Sequence, residues 1–235
     1  MFDPQKILQQ VLGGGGEPDE QRQRKGGVSS DTLKGAAFGG LAGLLLGTRG
    51  GRKFAGSALQ VGGVAVLGGL AYRAWQNWQA QQAQQGGRTS PPADNMKDAA
   101  DKAVGTPFLP SQEAERNELS LTLLSAMIAA AKSDGHIDAD EQGRIFARVD
   151  QSNLAADEKG FLMDQIRKPL DLDAIAAKAT TMERAAEIYA VSVLAIDVDN
   201  PIEVDYLDKL ANRLKLDSGL RMNIESEVKS AASPA

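Results

Sequence analysis

Apolar residues near the start of the chain recur at helical intervals, which places them on one face of a helix. The residues on that face are Phe2, Ile7, Leu8, Val11 and Leu12. Four glycines at 13–16 follow at once and end the pattern. The spacing predicts a short amphipathic helix, and the charged composition of 17–31 predicts a flexible polar segment, so that 1–32 form one region.

Two uncharged, glycine-rich stretches come next, at 35–48 and 54–72. The second is 19 residues long, close to the ~20 apolar residues that a membrane-spanning helix needs. The glycines recur every four residues in the first stretch and every seven in the second, a spacing that lets membrane helices approach closely. Tyr72, Trp75 and Trp78 then match an interfacial aromatic belt. We therefore predict a glycine-rich membrane segment over 33–75, either a hairpin or a single transmembrane span at 54–72.

Basic residues favour the hairpin, with both of its ends in the cytoplasm. Three lie between the two stretches and six lie on the flanking sides, and basic residues are enriched on the cytoplasmic side of a membrane. Residues 76–110 are rich in Gln and then in Gly, Pro and Ser, which is typical of a flexible linker. The basic pattern therefore predicts an anchor followed by a cytoplasmic C-terminal domain.

From residue 111 onward the apolar spacing is helical and no strand-like alternation occurs. Leu121, Leu124, Ile128 and Ala131 form one such stripe. Further helices are predicted near 138–150, 155–168, 171–179, 181–196, 200–215 and 217–230. The predicted fold class is all-α, with a C-terminal bundle of about seven short helices over 111–235.

Composition separates the chain into two physically different parts. Residues 1–100 hold 20 of the 25 glycines and carry 11 Lys/Arg against 7 Asp/Glu, whereas residues 101–235 carry 15 against 24. The acidic C-terminal part would repel phosphates, so we expect no nucleic-acid partner. The chain has no cysteine and one histidine, His136, which excludes thiol catalysis, disulfides and thiolate zinc sites.

Two acidic segments, each between predicted helices, are the strongest candidates for chemistry. Helix capping explains part of them, since Asp138 with Glu141 and Asn200 with Glu203 match the N-cap and N3 positions of a capping box. A third match begins at Thr180. A shift of 62 residues aligns the first two boxes, which indicates an internal repeat of helix, acidic turn and helix.

Capping leaves Asp134, Asp140, Asp197 and Asp199 unexplained, and hard divalent cations prefer several carboxylate oxygens. The loops lack the length and Asp-x-Asp-x-Asp-Gly pattern of an EF-hand. Solvated, capping acids and a cation site for Ca²⁺, Mg²⁺ or Mn²⁺ therefore both remain open. The candidate metal ligands are Asp134, Asp138, Asp140, Glu141, Asp197, Asp199 and Glu203.

Several segments resemble one bacterial family. They are Ala-Ala-Lys-Ser-Asp-Gly-His-Ile-Asp at 130–138 with Glu141, Arg-Lys-Pro-Leu-Asp at 167–171, Ala-Glu-Ile-Tyr at 186–189, and 196–207. These segments resemble the YebE-like inner-membrane protein family, a domain of unknown function. Its C-terminal half is similar to the all-helical TerB-like tellurite-resistance superfamily. The resemblance covers most of the chain from about residue 33.

The resemblance implies a link to tellurite and envelope stress, no enzymatic activity, and a metal role proposed for acidic residues that correspond to Asp134, Glu141, Asp197 and Glu203. The chain departs from the superfamily at 198–201, where Val-Asp-Asn-Pro replaces Asp-Gly. The resemblance therefore does not imply equal cation affinity for the two turns.

Together these observations predict a membrane-anchored, non-enzymatic interaction or stress-response protein of the bacterial inner membrane. Membrane lipid, an unidentified protein and a second copy of the chain, joined through the glycine faces, are the expected partners. A divalent-metal sensor is the first alternative. A hydrolase with paired carboxylates is the second, although no catalytic residue or organic cofactor can be named.

Overall fold

A computed structural model describes residues 2–13, 63–84, 96–133, 143, 145–147, 149–150, 152, 154–196 and 201–232. Within these ranges every regular element is a helix, which confirms the predicted all-α class. The helices are α1 (Pro4–Gly13), α2 (Gly63–Gln84), α3 (Met96–Ala103), α4 (Glu113–Ala131), α5 (Ala156–Arg167), α6 (Leu172–Ala176), α7 (Met182–Ala195), α8 (Pro201–Arg213) and α9 (Ser218–Ala232). Helical residues also occur within 143–150.

Local capping sets the helix boundaries after residue 155, and they agree with the predicted ranges. The Asp171 side chain accepts hydrogen bonds from the first backbone N–H groups of α6. Thr181 caps α7 by accepting from the Arg184 N–H at 3.2 Å, so the cap lies one residue later than the predicted Thr180. Pro201 occupies the first position of α8, where its missing N–H costs no helical hydrogen bond.

Helix α7 is the centre of the bundle, because it packs against α2, α4, α8 and α9. Every residue from Ala185 to Val193 is buried, so α7 has no solvent-facing stripe over that length. Its main neighbour α4 is likewise buried from Leu119 onward, apart from Leu121. A helix that is buried on all sides must meet other helices in every direction.

Two helices from the N-terminal part of the chain pack into this bundle. Helix α2 packs against α3, α9, α7 and α1, while α1 packs against α4 and α2. One hydrophobic cluster consequently runs from Ile7 to Val228. The described parts of the predicted N-terminal regions thus share a core with the C-terminal helices.

Glycines let α2 approach its neighbours at backbone distance. A Cβ built on Gly68 would lie 2.5 Å from the Phe108 carbonyl oxygen, and one on Gly69 would lie 2.8 Å from the Ala100 nitrogen. Neither gap admits a methyl group. The seven-residue glycine spacing that suggested membrane packing therefore serves, at Gly69, to pack α2 against α3.

The predicted span at 54–72 requires correction for its described half. Residues 63–72 lie in α2 and bury Val64, Val66, Leu67 and Leu70 against other helices of the chain. Across the ranges given above, no helix combines the length and the apolar character that crossing a bilayer demands. The remainder of the predicted segment, 33–62, lies outside the described residues.

The predicted linker also contains packed structure. Residues 76–84 continue α2, and α3 buries Ala99, Ala100 and Ala103. A turn at Gly105, with φ of 80°, then returns the chain so that Phe108 and Leu109 enter the core. Alanine-rich helices suit such close packing because their side chains are small. The low hydrophobicity of this region is the reason that the sequence predicted a linker and not a packed helix.

Candidate interaction site

Six of the seven predicted cation ligands lie outside the described residues. They fall within 134–142 and 197–200, and the exception is Glu203. Glu203 lies in the first turn of α8 and is only 4% exposed. No group of three or more His, Cys, Asp or Glu residues suited to a metal ion occurs in the described part of the chain. The cation site stays a prediction.

The residue before the first acidic segment has a structural role. The ammonium of Lys132 donates hydrogen bonds to the Ile166 carbonyl at 2.8 Å and to that of Lys168, at the C-terminal end of α5. The ammonium therefore gives a hydrogen-bond donor to carbonyl groups that have no partner within the helix, and its charge is favourable at a helix C-terminus. Burial lowers the pKa of Lys132. Two of the segments that carried the family resemblance, 130–138 and 167–171, are thereby joined.

A third such segment supplies a polar network between α7, α8 and α9. The Tyr189 hydroxyl donates to Glu225 at 2.6 Å, and Arg221 pairs with both Glu225 and Asp208. The Arg221 guanidinium also lies 5.8 Å from the centre of the Tyr189 ring. Burial and the hydrogen bond to Glu225 raise the pKa of Tyr189. The network holds three helices together and leaves Tyr189 protonated at neutral pH.

Glu187 is a carboxylate within the core, with a side chain that is 1% exposed. One oxygen accepts from Arg184 at 2.9 Å, and the other has no hydrogen-bond partner among the described residues. Burial raises the pKa of Glu187 well above its ordinary value, although Arg184 opposes the shift. A group sealed in this way cannot meet a substrate, so its altered pKa does not indicate catalysis.

A different buried carboxylate receives the N-terminus of α1. Glu158, 1% exposed, accepts hydrogen bonds from the Asp3 backbone N–H at 3.0 Å and from the Ala155 N–H at 2.8 Å. The Lys6 ammonium lies 3.8 Å from the same carboxylate. The Asp3 side chain in turn caps α1 by accepting from the N–H groups of Gln5 and Lys6. Glu158 therefore serves the starts of two helices, α5 and α1.

Apolar contacts complete the docking of α1. Ile7, Leu8, Val11 and Leu12 are buried, and Phe2 meets Phe161 of α5 edge to face with ring centres 5.7 Å apart. Gln5 donates to the Asn117 side chain of α4 at 2.8 Å. We call the surface formed by α4, α5 and α2 around this helix the α1 groove. It combines an apolar floor with polar groups at one end, as helix-binding grooves do.

Sequence reasoning identified the apolar face of α1 correctly but not the groove that receives it. A signal for Glu158 was present, since it occupies the N3 position of a helix whose N-cap residue, Ala155, cannot cap through its side chain. In a capping box the N-cap side chain and the N3 glutamate each accept one backbone N–H. Here only Glu158 does so, and its second oxygen accepts an N–H from elsewhere in the fold. Asn117 and Phe161 offer no comparable signal.

The comparisons with known proteins add a family but no activity. A relative described as "Uncharacterized protein in ampR 5'region", from Yersinia enterocolitica, is 32% identical over 107 residues, which are 46% of this chain and 77% of the relative. No solved structure matches the chain. The family model described as "Protein of unknown function (DUF533)" matches residues 31–228, a range that includes α2–α8 and most of α9 but not α1. The chain therefore belongs to the DUF533 family.

Proposed function

We propose that the protein is a non-enzymatic interaction module with a TerB-like helical domain over 111–235. One observation carries the proposal: the family-matched helices bind an amphipathic helix, α1, that lies outside the family match. Its apolar face is buried and its N-terminus is held by Glu158. A surface that holds one such helix has the chemistry needed to hold another.

The titratable groups support a structural role over catalysis. General acid–base catalysis favours a pKa near the operating pH on a group within reach of substrate. Tyr189 is tied to Glu225, and Glu187 is sealed in the core beside Arg184. The shifted pKa values of these two residues follow from burial in the packed interior, and structural networks are known to perturb pKa values.

A crosslinking experiment in cells tests the interaction role. The full chain with a C-terminal affinity tag should capture the same protein with two chemically different crosslinkers, and an unrelated bait of matched abundance should not. Failure to recover any specific protein would count against an interaction module. Steady turnover of a small-molecule substrate by the purified chain would contradict the non-enzymatic part.

A divalent-metal sensor is the second candidate, motivated by the four acids that helix capping does not explain, Asp134, Asp140, Asp197 and Asp199. A thermal melt of the full chain in EDTA and then in Ca²⁺, Mg²⁺ or Mn²⁺ tests it. Binding at a hundredfold excess over Kd would stabilise the fold by roughly 2.7 kcal/mol. That shift should vanish in the Asp134→Asn, Asp197→Asn double variant. No shift with any ion would leave the acids as caps.

Attachment to the bacterial inner membrane is proposed separately, with the C-terminal domain on the cytoplasmic side. It is supported by the family resemblance and by the uncharged stretch at 35–48. Fractionation of cells that express the full chain should recover it in the membrane pellet after a high-salt wash. Recovery in the supernatant without detergent would contradict the attachment.

A further inference from the structure

The α1 groove pairs an apolar floor with a buried anion, and this pairing selects one class of ligand. Glu158 offers both carboxylate oxygens to backbone N–H groups, one from Ala155 just before α5 and one from Asp3 just before α1. Backbone donors at the start of a helix carry partial positive charge, so a buried carboxylate there favours a helix N-terminus. The apolar floor of the groove then contacts apolar side chains that are three and four residues apart along that helix.

The occupant of this groove is not part of the family domain. The family match begins at residue 31, so it includes Asn117, Glu158 and Phe161 but not α1. Without α1 the groove would expose the apolar surface that covers Ile7, Leu8, Val11 and Leu12. One oxygen of Glu158, which is 1% exposed when α1 is docked, would also lose the N–H group that donates to it. Large exposed apolar patches on a monomer commonly mark interaction sites.

We propose that the α1 groove is the binding site of the interaction module and that α1 occupies it as an intramolecular competitor. This inference rests on the proposed interaction function and names its site. The partner is an amphipathic helix with the chemistry of α1: an acidic N-cap, a basic residue in the first turn, and apolar residues that match Ile7, Leu8, Val11 and Leu12. Partner and α1 compete, so release of α1 accompanies binding.

A peptide of residues 2–13, fluorescently labelled, is the probe for this site. A tethered segment competes at an effective concentration on the order of 1 mM, so wild-type full chain should bind the peptide weakly. Leu8→Glu in the full chain places a charge at a fully buried position of α1 and frees the groove. The peptide should bind this variant at least about tenfold more tightly than it binds wild type.

Three matched controls assign the binding to the groove. The peptide that carries Leu8→Glu should not bind either chain. Phe161→Ala, added to the Leu8→Glu chain, should weaken binding because it removes the ring that meets Phe2. Met222→Ala, at an exposed position on α9, should leave binding unchanged. If Leu8→Glu lowers solubility, the milder pair Leu8→Ala and Val11→Ala replaces it.

Equal peptide affinity for wild type and for a folded α1-released variant would overturn the proposal, as would binding unaffected by Phe161→Ala. A wild-type dimer in which α1 is exchanged between copies would overturn intramolecular competition. The proposed function can fail independently: peptide binding without any captured cellular protein supports the groove alone. Capture of a protein whose yield does not change when α1 is released supports an interaction module with a different binding site.

Discussion

Helices α1 and α2 both precede the C-terminal bundle and both pack into it, but they do so by different means. Helix α2 meets Ala100 of α3 through Gly69 and the Phe108 carbonyl through Gly68, both at backbone distance. Its Arg73 pairs with Glu227 of α9 at 3.1 Å. Helix α1 presents one apolar face and a capped N-terminus to the α1 groove. A side chain at either glycine would block the first contact. The second contact is made by side chains, and we propose that another helix with the chemistry of α1 can make it.

Burial alone therefore does not show whether a segment is integral to a fold. Leu8 and Leu70 are 0% and 1% exposed, so exposure does not distinguish them. What distinguishes them is the extent of packing: α2 is 22 residues long and packs against four other helices, whereas α1 is 10 residues long and meets α2, α4 and α5 mainly through one face. Local opening favours elements that are joined to the rest by few buried contacts. Helix α1 should therefore detach before the bundle unfolds.

The largest expected effect comes from truncating one leucine in each helix. Leu70→Ala should lower the free energy of unfolding by about 2–5 kcal/mol, the usual range for a buried leucine. Leu8→Ala can lower the global value by no more than the free energy that docks α1, so its effect should be smaller. Urea unfolding followed by the fluorescence of Trp75 and Trp78, both on α2, measures the difference. Equal losses in the two variants would show that α1 and α2 are equally integral.

The glycine crossing provides the second prediction. Gly69→Ala should destabilise the protein by about 1–3 kcal/mol, because the new methyl group meets Ala100 at overpacked distances. Gly160→Ala is the matched control, since Gly160 lies inside α5 with nothing within 4 Å of its built Cβ. That change should stabilise the protein by up to about 1 kcal/mol through helix propensity. Thermal melts measure the stability of both variants. An unchanged stability for Gly69→Ala would contradict the packing of α2 against α3 at backbone distance.

The glycine pattern also marks the limit of what the sequence allowed. Gly69 does pack closely against another helix, as the glycine spacing predicted, but the same spacing serves lipid-embedded and water-soluble helices. Choosing between them requires knowing the partner, and the alanines of α3 carry little apolar signal of their own. By contrast, the boundaries of α5 to α9 were predictable because capping residues and Pro201 act within a few positions of each helix start.

The candidate site shows the same division between local and distant determinants. The apolar face of α1 followed from spacing within a dozen residues. The groove depends on Glu158 meeting Asp3, a contact between residues 155 positions apart. Nothing in the local sequence specifies such a partner. The acidic segments were conspicuous in sequence, and their cation role stays a prediction.

Buried charge gives the third prediction, which concerns the bundle and not α1. The pKa of Glu187 is raised on folding, so its ionisation opposes folding and stability should fall as pH rises above the ordinary value of 4.5. Glu187→Gln removes the ionisable group and, with it, this dependence of stability on pH. Relative to wild type, the variant should gain about 1–2 kcal/mol between pH 4 and pH 8, the scale of a poorly satisfied buried polar group.

Urea titrations at the two pH values measure this gain, and the Leu8→Ala background serves as its control. Since α1 packs against α2 and α4 while Glu187 pairs with Arg184 of α7, the gain should be the same with α1 weakened, within the ~0.5 kcal/mol expected for independent sites. A pH-independent difference between Glu187→Gln and wild type would contradict the raised pKa.

The smallest effect is expected from the cap of α1. Asp3→Ala removes the side chain that accepts from the N–H groups of Gln5 and Lys6. Losing an N-cap costs about 0.5–2 kcal/mol, and here the cost should fall on the docking of α1. The labelled α1 peptide should bind the Asp3→Ala chain more tightly than wild type. Asp173→Ala, at an exposed residue of α6, should not change peptide binding and serves as the control.

Native-state hydrogen exchange on the full chain distinguishes a helix α1 that detaches separately from one that is integral to the fold. Amides of α1 should exchange through a local opening of lower free energy, insensitive to low urea, whereas amides of α2 should exchange only through global unfolding. Leu8→Glu should abolish protection over 4–13 and preserve it over 63–84. Matching free energies and urea dependence for α1 and α2 would contradict the account, because α1 would then be as integral to the fold as α2.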